Sequence, residues 1–408
     1  MTYKCLFVIL DGVGDHVVKE LGYKTPLESA KKPHLDKLAK KGENGMLYPV
    51  DIGISPGSDT AHLSLFGYDP YKYYPGRGVF EALGAGIELE KNDLAFRVNV
   101  ATVNENGVII DRRAGRNDYG IKELFKELDG IELEGVKVML KHTVEHRGVL
   151  VLRGEGLSKG VTSNDPHKVG VNVRKIKPLE NNAKKTAEVL NRIVEEFYKI
   201  ARDHQINKER KKKGLLPANY ILIRGAGMLD KEVISFTAKY NIKACFIAGA
   251  AMYKGVAKYV GIDVIEVPGA TGDIHTSLVS KSEAAISNRN KYDIVFTHIK
   301  ATDSLSHDRK PKEKKKFIER IDEQFFSKVK DEFDIIVVTG DHTTSSIFGE
   351  HTADPVPLLI YSTVAQRKDP VKNFAERKSY KGILGYIKGQ NLMKIILNKM
   401  NKLEKFGE

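Results

Sequence analysis

Six aspartate and histidine residues have the types and spacing of ligands for divalent metal ions. They are Asp11, Asp303, His307, Asp341, His342 and His351. Carboxylate oxygens and neutral imidazole nitrogens bind Zn²⁺ and Mn²⁺, and carboxylates also bind Mg²⁺. Six ligands are too many for one catalytic ion that keeps an open position, but they suit two ions with three ligands each. We therefore expect a centre of two divalent cations.

Each of these aspartates comes soon after an apolar run of the kind that forms a buried strand. The runs are CLFVIL (5–10), DIVFTHI (293–299) and DIIVVTG (334–340). In open parallel sheets, ligands bind beyond the carboxyl ends of the strands, so three chain segments would bring their aspartates to one edge. Asp303 and His307 share one face if their segment is helical.

Two adjacent cations suit phosphoryl transfer, because they clamp the attacking and leaving oxygens and neutralise developing charge. Ser58 is the candidate nucleophile. It lies in PGSDTAHLSLFGYDP (56–70) at the start of a helix-like stretch, where backbone N–H groups favour a phosphate. A metal ion there could also hold the serine hydroxyl as an alkoxide.

Taken singly, these residues have simpler interpretations. Asp11 could be a turn residue, Ser58 could be a helix cap, and Asp303 with His307 could be an exposed pair. As a set they are far more specific, because most of them directly follow strands of the same type.

Strand-like and helical segments alternate through much of the chain, which predicts an α/β fold with a mostly parallel sheet and helices on both faces. Residues 93–175 differ, since NENG (104–107) between two β-rich runs indicates a hairpin and an α+β arrangement. We therefore expect an inserted domain at 76–218 that interrupts a larger domain formed by 1–75 and 219–408.

Composition narrows the class of protein. The 408 residues are 41% hydrophobic and 29% charged, with a net charge of +13, which is typical of a globular protein that accepts anionic partners. No window is long enough for a membrane span, and no zinc-finger, RNP-like or Walker motif favours nucleic acid. Two cysteines within apolar runs, Cys5 and Cys245, predict buried thiols and a cytoplasmic protein. The sequence is compatible with a homo-oligomer but does not specify an oligomeric state.

Five segments resemble the signatures of the cofactor-independent phosphoglycerate mutases, in particular their archaeal-type branch within the alkaline phosphatase superfamily. They are LDGVGD (10–15), PGSDTAHLSLFGYDP (56–70), ATDSLSHD (301–308), TGDHTT (339–344) and GEHTADPVP (349–357). The resemblance spans nearly the whole chain. It implies a phosphatase-like domain that binds metal, interrupted by a smaller transferase domain that acts as a lid.

The resemblance also implies how the ligands divide. Asp303, His307 and His351 would hold one ion, while Asp11, Ser58, Asp341 and His342 would hold the second. The ions would be Mn²⁺, Zn²⁺, Co²⁺ or Mg²⁺, with no need for 2,3-bisphosphoglycerate. The implied reaction converts 3-phosphoglycerate to 2-phosphoglycerate through a phosphoserine at Ser58. A metal-dependent phosphomonoester or phosphonate hydrolase of the same superfamily is the alternative.

Phosphoglycerate carries a phosphate and a carboxylate, so its recognition needs cations, preferably guanidinium groups. Candidates for substrate binding lie mainly in the expected insert and are Arg113, Arg116, His142, Arg147, Asp165, His167, Arg224 and Lys254. Each of these could instead have a structural or surface role.

Overall fold

A computed structural model of the chain describes residues 3–367, 369–405 and 407. The chain forms two compact units. One consists of Met1–Tyr74 and Val233–Glu408 and is called the split unit here; the other, the inserted unit, is Pro75–Glu232. The second boundary lies near 232 rather than near the expected 218, because the strand Tyr220–Met228 pairs with Leu94–Val103 of the inserted unit.

The strands are numbered in chain order. They are β1 Cys5–Leu10, β2 Glu43–Tyr48, β3 Leu94–Val103, β4 Ile109–Asp111, β5 Glu132–Leu133, β6 Val136–His142, β7 Arg147–Arg153, β8 Tyr220–Met228, β9 Ala244–Ile247, β10 Asp263–Val264, β11 Ile294–Ile299, β12 Ile335–Thr339, β13 Thr343–Ser345, β14 Glu350–Thr352, β15 Val356–Ser362 and β16 Gly385–Lys388.

The α-helices are numbered in the same way. They are α1 Pro26–Ser29, α2 Pro33–Lys41, α3 Ser58–Leu65, α4 Pro70–Tyr73, α5 Arg77–Gly84, α6 Ile121–Lys126, α7 Lys184–Asp203, α8 Gln205–Lys212, α9 Phe236–Tyr240, α10 Ala251–Tyr259, α11 Leu278–Asn288, α12 Ala301–His307, α13 Pro311–Ile321, α14 Ser327–Val329, α15 Glu376–Ser379 and α16 Gly389–Lys399. A π-helical turn, Asp322–Phe326, joins α13 to α14. Within the described residues, every helix is too short or too polar to span a bilayer.

The main sheet of the split unit has the strand order β10-β9-β11-β1-β12-β15-β2-β16. The first five strands are parallel, and β15 then pairs antiparallel with both β12 and β2. The expected α/β fold with a mostly parallel sheet is confirmed. Because β1 lies between β11 and β12, the carboxyl ends of these three strands are adjacent.

Helices cover both faces of this sheet, which explains why its strands are continuously apolar. Leu6, Val8 and Leu10 pack into a core that includes residues of α2, α11 and α13. On the opposite face, Phe7 contacts Phe296 with ring centroids 5.2 Å apart. All six residues of β1 are fully buried, so the strand is fixed in register from both sides.

The inserted unit is an antiparallel sheet packed against α6 and α7. Its strand order is β4-β3-β7-β6-β5, and β8 pairs with the other edge of β3. The predicted hairpin at 104–107 joins β3 to β4. Leu190, Ile193 and Phe197 of α7 are buried in its core, because they recur at helical spacing along one face.

Three segments differ from what the sequence pattern predicts. The pattern of LDKEVISFTAKYN (229–241) predicts a helix over the whole segment, but only Phe236–Tyr240 form a helix, and Ser235 caps its start by accepting from the Ala238 N–H. The edge strand β16 and its neighbour β2, which lies between β15 and β16, were not predicted. β2 contains Glu43, Asn44 and Gly45, which are poor strand formers in isolation.

Candidate active site

The turn after β1 places Asp11, and a lysine from a distant helix holds this turn. Gly12 has φ +60°, and a Cβ there would come within 2.9 Å of the Asp303 backbone, so only glycine fits. Lys314 of α13 is fully buried and donates to the carbonyl oxygens of Gly12 (2.8 Å) and Gly14 (3.2 Å) and to Asp15 Oδ2 (2.9 Å). The Gly12 N–H in turn donates to Asp341 Oδ1 at 3.0 Å.

The remaining expected residues come from four other elements. Asp303 and His307 lie one turn apart on α12, which begins directly after β11, and Asp341 and His342 follow β12. Ser58 is the first residue of α3. His351 lies on β14, opposite Thr344 of β13.

Asp303, His307 and His351 form one cluster. Asp303 Oδ1 lies 3.2 Å from His307 Nε2 and 3.4 Å from His351 Nε2, and the two Nε2 atoms are 3.2 Å apart. His307 Nδ1 contacts the Gly349 carbonyl oxygen at 2.7 Å, and His351 Nδ1 contacts that of Pro56 at 2.8 Å. A carbonyl only accepts, so each Nδ1 carries a proton, and each Nε2 faces Asp303, where it can hold either a proton or a cation.

Asp11, Ser58, Asp341 and His342 form a second cluster, which is buried. His342 Nε2 lies 3.0 Å from Ser58 Oγ, 3.4 Å from Asp11 Oδ1 and 3.4 Å from Asp341 Oδ2. These carboxylate oxygens, Asp11 Oδ1 and Asp341 Oδ2, have no hydrogen-bond partner among the described residues.

Thr344 fixes the tautomer of His342 and joins the two clusters. Its hydroxyl donates to Asp303 Oδ1 at 2.9 Å, so the same oxygen must accept from His342 Nδ1, also at 2.9 Å. His342 therefore presents an unprotonated Nε2 to Ser58. Burial lowers the pKa of His342 to about 3, which keeps this ring neutral.

The electrostatics of the two clusters favour a bound cation. Burial and the neighbouring Asp11 raise the pKa of Asp341 well above its usual value. The hydrogen bond with Asp303 raises the pKa of His307 to about 9. For His351, burial opposes the charged form, but the contact with Asp303 outweighs it and raises the pKa. Protons and divalent cations would therefore compete for the same atoms.

Four observations test whether these residues suit metal ions. Two buried carboxylate oxygens receive no hydrogen bond from the residues that the structure describes, and three imidazoles direct Nε2 into the clusters while a fixed acceptor orients each Nδ1. This is the usual arrangement of metal-binding histidines. Asp303, His342 and His351 offer ligand atoms within 4.8 Å of one another, and so do Asp11, Asp341 and His342. The donor set fits two divalent cations.

Three residues that sequence analysis missed adjoin these clusters. His298 Nε2 donates to Asp11 Oδ2 at 2.8 Å, and His62 Nδ1 donates to the Ser58 carbonyl at 2.7 Å and lies 3.5 Å from Asp341 Oδ2. Lys300 forms ion pairs with Asp303 and Asp11. His62 could have been found, because it lies one helical turn after Ser58, whereas His298 occupies an interior position of an apolar strand.

In the inserted unit, four of the predicted substrate-binding residues lie near one another. Asp165 is fully buried and receives a bidentate contact from Arg112, at 2.9 and 2.6 Å. Arg112 Nη2 also lies 3.2 Å from His167 Nδ1, and Arg224 Nε lies 4.0 Å from Asp165. Burial lowers the pKa of Arg224, and Arg147 is among the nearby cations that add to this effect.

This cluster has more positive than negative charge. The Arg97 side chain is only 13% exposed, and its pKa is lowered to about 9 by this partial burial and by Arg77, Arg224 and Arg147, whereas Glu81 raises it. The Nε atoms of Arg97 and Arg224 lack hydrogen-bond partners among the described residues. Such a group is built to receive an anion. Arg97 and Arg112 were not predicted.

The other substrate candidates make local contacts. The Arg113 N–H donates to Asp111, and Arg113 itself is exposed. His142 Nε2 contacts the Glu145 carbonyl within the β6–β7 turn. Arg116 is exposed but lies close enough to lower the pKa of His146. Lys254, on α10 of the split unit, pairs with Glu266 at 2.5 Å.

Comparisons with known proteins agree with this picture. A family model described as 2,3-bisphosphoglycerate-independent phosphoglycerate mutase matches residues 39–207. The 2,3-bisphosphoglycerate-independent phosphoglycerate mutase 1 of Methanocaldococcus jannaschii is 47% identical over 410 residues, covering 99% of each chain. The solved structure of the cofactor-independent phosphoglycerate mutase from Thermoplasma acidophilum is 37% identical, with a TM-score of 0.69, and covers 98% of this chain and 100% of its own. A solved Pyrococcus horikoshii protein is 39% identical, with a TM-score of 0.86 and full coverage of both chains.

Proposed function

The chain belongs to the 2,3-bisphosphoglycerate-independent phosphoglycerate mutases, and from this premise we propose that it interconverts 3-phosphoglycerate and 2-phosphoglycerate through a phosphorylated Ser58. The observation that carries the proposal is the position of Ser58 Oγ. It lies at the first turn of α3, 3.0 Å from the unprotonated Nε2 of His342 and beside two buried carboxylates.

Two groups of residues would hold divalent cations: Asp303, His307 and His351 for one ion, and Asp11, Ser58, Asp341 and His342 for the other. When bound, such ions supply charge neutralisation at the phosphoryl oxygens and favour ionisation of the serine hydroxyl. The mixed carboxylate and imidazole donors suit Mn²⁺, Zn²⁺, Co²⁺ or Mg²⁺.

The reaction has two balanced halves. Ser58 Oγ, without its proton, attacks the phosphorus of 3-phosphoglycerate; the bond from phosphorus to O3 breaks, and O3 takes up a proton as glycerate forms. O2 of the same glycerate then gives up its proton and attacks the phosphoserine, which restores Ser58. The helix N-terminus at Ser58 stabilises the phosphoryl charge throughout.

We assign recognition of the anionic glycerate to the arginine cluster of the inserted unit. Arg97, Arg147 and Arg224 together exceed the charge of their acidic neighbours, and the Nε atoms of Arg97 and Arg224 have no hydrogen-bond partner within the described part of the chain. A hydrolase of the same superfamily would need no carboxylate recognition, and the names of the relatives favour the mutase. The two cysteines, both buried free thiols, fit our proposal that the enzyme works in the cytoplasm.

Replacing the nucleophile tests the covalent step. Ser58→Ala should lose roughly 10⁴-fold or more of the interconversion rate, and the wild type should yield a phosphopeptide that contains Ser58. Ser64→Ala is the matched control, since Ser64 is buried on the same helix and its hydroxyl forms no hydrogen bond with any residue that the structure describes. Full activity in Ser58→Ala would refute the covalent step. Release of inorganic phosphate faster than interconversion would favour the hydrolase.

Removal of metal tests the requirement for ions independently of the covalent step. Chelated protein should lose activity and regain it with one or more of Mn²⁺, Zn²⁺, Co²⁺ and Mg²⁺, added one at a time. An undiminished rate in fully chelated protein would refute the two-ion proposal and leave the phosphoserine result to stand on its own.

A further inference from the structure

Asp303 and Asp11, which belong to different ligand groups, each direct one carboxylate oxygen at the histidines of their group and the other oxygen at Lys300. Asp303 Oδ1 faces His307 and His351, whereas its Oδ2 accepts from Lys300 Nζ at 2.9 Å. Asp11 Oδ1 faces His342 without a hydrogen bond, whereas its Oδ2 lies 3.6 Å from the same Nζ. Lys300 therefore contacts the outer oxygen of one aspartate from each group.

Lys300 is held in this position by its surroundings. It is the residue that precedes α12, and its side chain is only 22% exposed. Its Nζ lies 5.4 Å from the centroid of the Tyr253 ring, which is a cation–π distance. Tyr253 stacks on His298 with centroids 3.9 Å apart, and His298 itself donates to Asp11 Oδ2. The ammonium is thus part of a packed group rather than a mobile surface lysine.

We propose that Lys300 is a positioning residue: it holds Oδ2 of Asp303 by a hydrogen bond and, together with His298, attracts Oδ2 of Asp11, which leaves the other oxygen of each carboxylate directed at its ion. The inference rests on the proposed two-ion centre. A carboxylate that is free to rotate can offer either oxygen or both, and a partner that orients a ligand is worth about 10- to 100-fold in metal affinity.

The proposal and simple electrostatics predict opposite changes in metal affinity when Lys300 is removed. A positive charge beside two dications repels them, so Coulomb's law alone predicts that removal of Lys300 tightens metal binding. If Lys300 orients the two carboxylates, its removal weakens metal binding even though a like charge has been lost. The direction of the change therefore separates the two roles.

The experiment is titration of the apoprotein with Mn²⁺ by calorimetry, with the electron paramagnetic resonance spectrum of the loaded protein as a second readout. Lys300→Met should bind Mn²⁺ about 10- to 100-fold more weakly, and Lys300→Arg, which retains a charged donor, should recover most of the affinity. Lys312→Met is the control. It removes the same charge from an exposed lysine and should leave the isotherm unchanged.

Each outcome decides the matter. Unchanged or tighter binding by Lys300→Met overturns the proposal. Should Lys300→Met fail to fold, Lys300→Gln is measured instead: weaker Mn²⁺ binding by Lys300→Gln together with recovery in Lys300→Arg supports a positioning role, and wild-type affinity in Lys300→Gln overturns it. A wild-type chain that binds no Mn²⁺ and none of the other three ions would sink the two-ion centre itself, which is a different failure.

Discussion

Lys314 offers a sharp test of how the fold supports the site. Its ammonium is completely buried and has four hydrogen-bond contacts, with Gly12 O, Gly14 O, Asp15 Oδ2 and, at 3.4 Å, Thr344 O. Lys314→Met keeps most of the unbranched side chain, removes the ammonium and leaves Asp15 buried without this partner. Breaking a buried ion pair from one side costs about 3–5 kcal/mol, because the remaining charge stays desolvated.

The expected result is a large fall in melting temperature. For a folding unit of about 250 residues, each kcal/mol corresponds to roughly 2–4 °C, so Lys314→Met should melt roughly 6–20 °C below the wild type by calorimetry. Lys315→Met is the matched control on the same helix. Lys315 is partly exposed and pairs with Glu319 at 3.6 Å, and such a pair contributes about 0–1 kcal/mol.

A second substitution separates charge from packing. Asp15→Asn together with Lys314→Met removes the unpaired carboxylate, while the amide oxygen can still accept from the Ser346 N–H, which now lies 2.8 Å from Asp15 Oδ1. The double variant should therefore be more stable than Lys314→Met alone. If Lys314→Met melts within a degree or two of Lys315→Met, or if the double variant is the least stable of the three, the reasoning about the buried pair is wrong.

Two further predictions concern other buried charges. Burial raises the pKa of Glu376 to about 7, so the native state holds this proton more tightly than the unfolded chain, and stability falls as pH rises from about 4.5 through 7. The full shift equals roughly 3 kcal/mol, which partial solvent contact reduces to about 2 kcal/mol. The free energy of unfolding of Glu376→Gln, measured in urea, should therefore rise by about 2 kcal/mol relative to that of the wild type between pH 4.5 and 7.5. A difference that stays constant over this pH range would contradict the prediction. Arg210 is fully buried and donates to the carbonyls of Tyr119, Ala114 and Leu216. Arg210→Met should speed amide hydrogen exchange in the inserted unit at least tenfold. Arg210→Lys should restore slow exchange only partly, because one ammonium cannot reach all the carbonyls that the forked guanidinium reaches. Exposed Arg202→Met is its control, and equal exchange in both would refute the prediction.

Buried charges also show where sequence reasoning reached its limit. The runs KERKKK (208–213) and RKPKEKKK (309–316) have the composition of solvated faces, and most of their residues are exposed. Arg210 and Lys314 are the buried cations within them, and each donates hydrogen bonds to carbonyl oxygens of a distant turn. The buried and exposed basic residues of these runs are of the same residue types. They differ only in whether their face of the helix is directed at the core or at solvent.

The strands of the main sheet were predictable because burial on both faces requires a continuous apolar run, as in CLFVIL. β2 was not, because its Glu43 is buried through partners remote in sequence, with Lys399 at 2.5 Å and Arg367 at 3.2 Å. In the site, residues after strands could be identified from their position alone. Arg112 could not be distinguished from Arg113, since the choice depends on which of two adjacent side chains turns toward Asp165.

The central place of β1 has a consequence for biosynthesis. Its hydrogen-bonded neighbours begin at Ile294 and Ile335, so almost 300 residues must be translated before either edge of CLFVIL can pair. At about 5–20 residues per second, this unpaired apolar stretch waits roughly 15 to 60 s outside its sheet. Until then, the unpaired edges of β1 in the nascent chain can associate with strands of other chains. The inserted unit, in contrast, can pair all its strands earlier, because they are translated in one continuous segment.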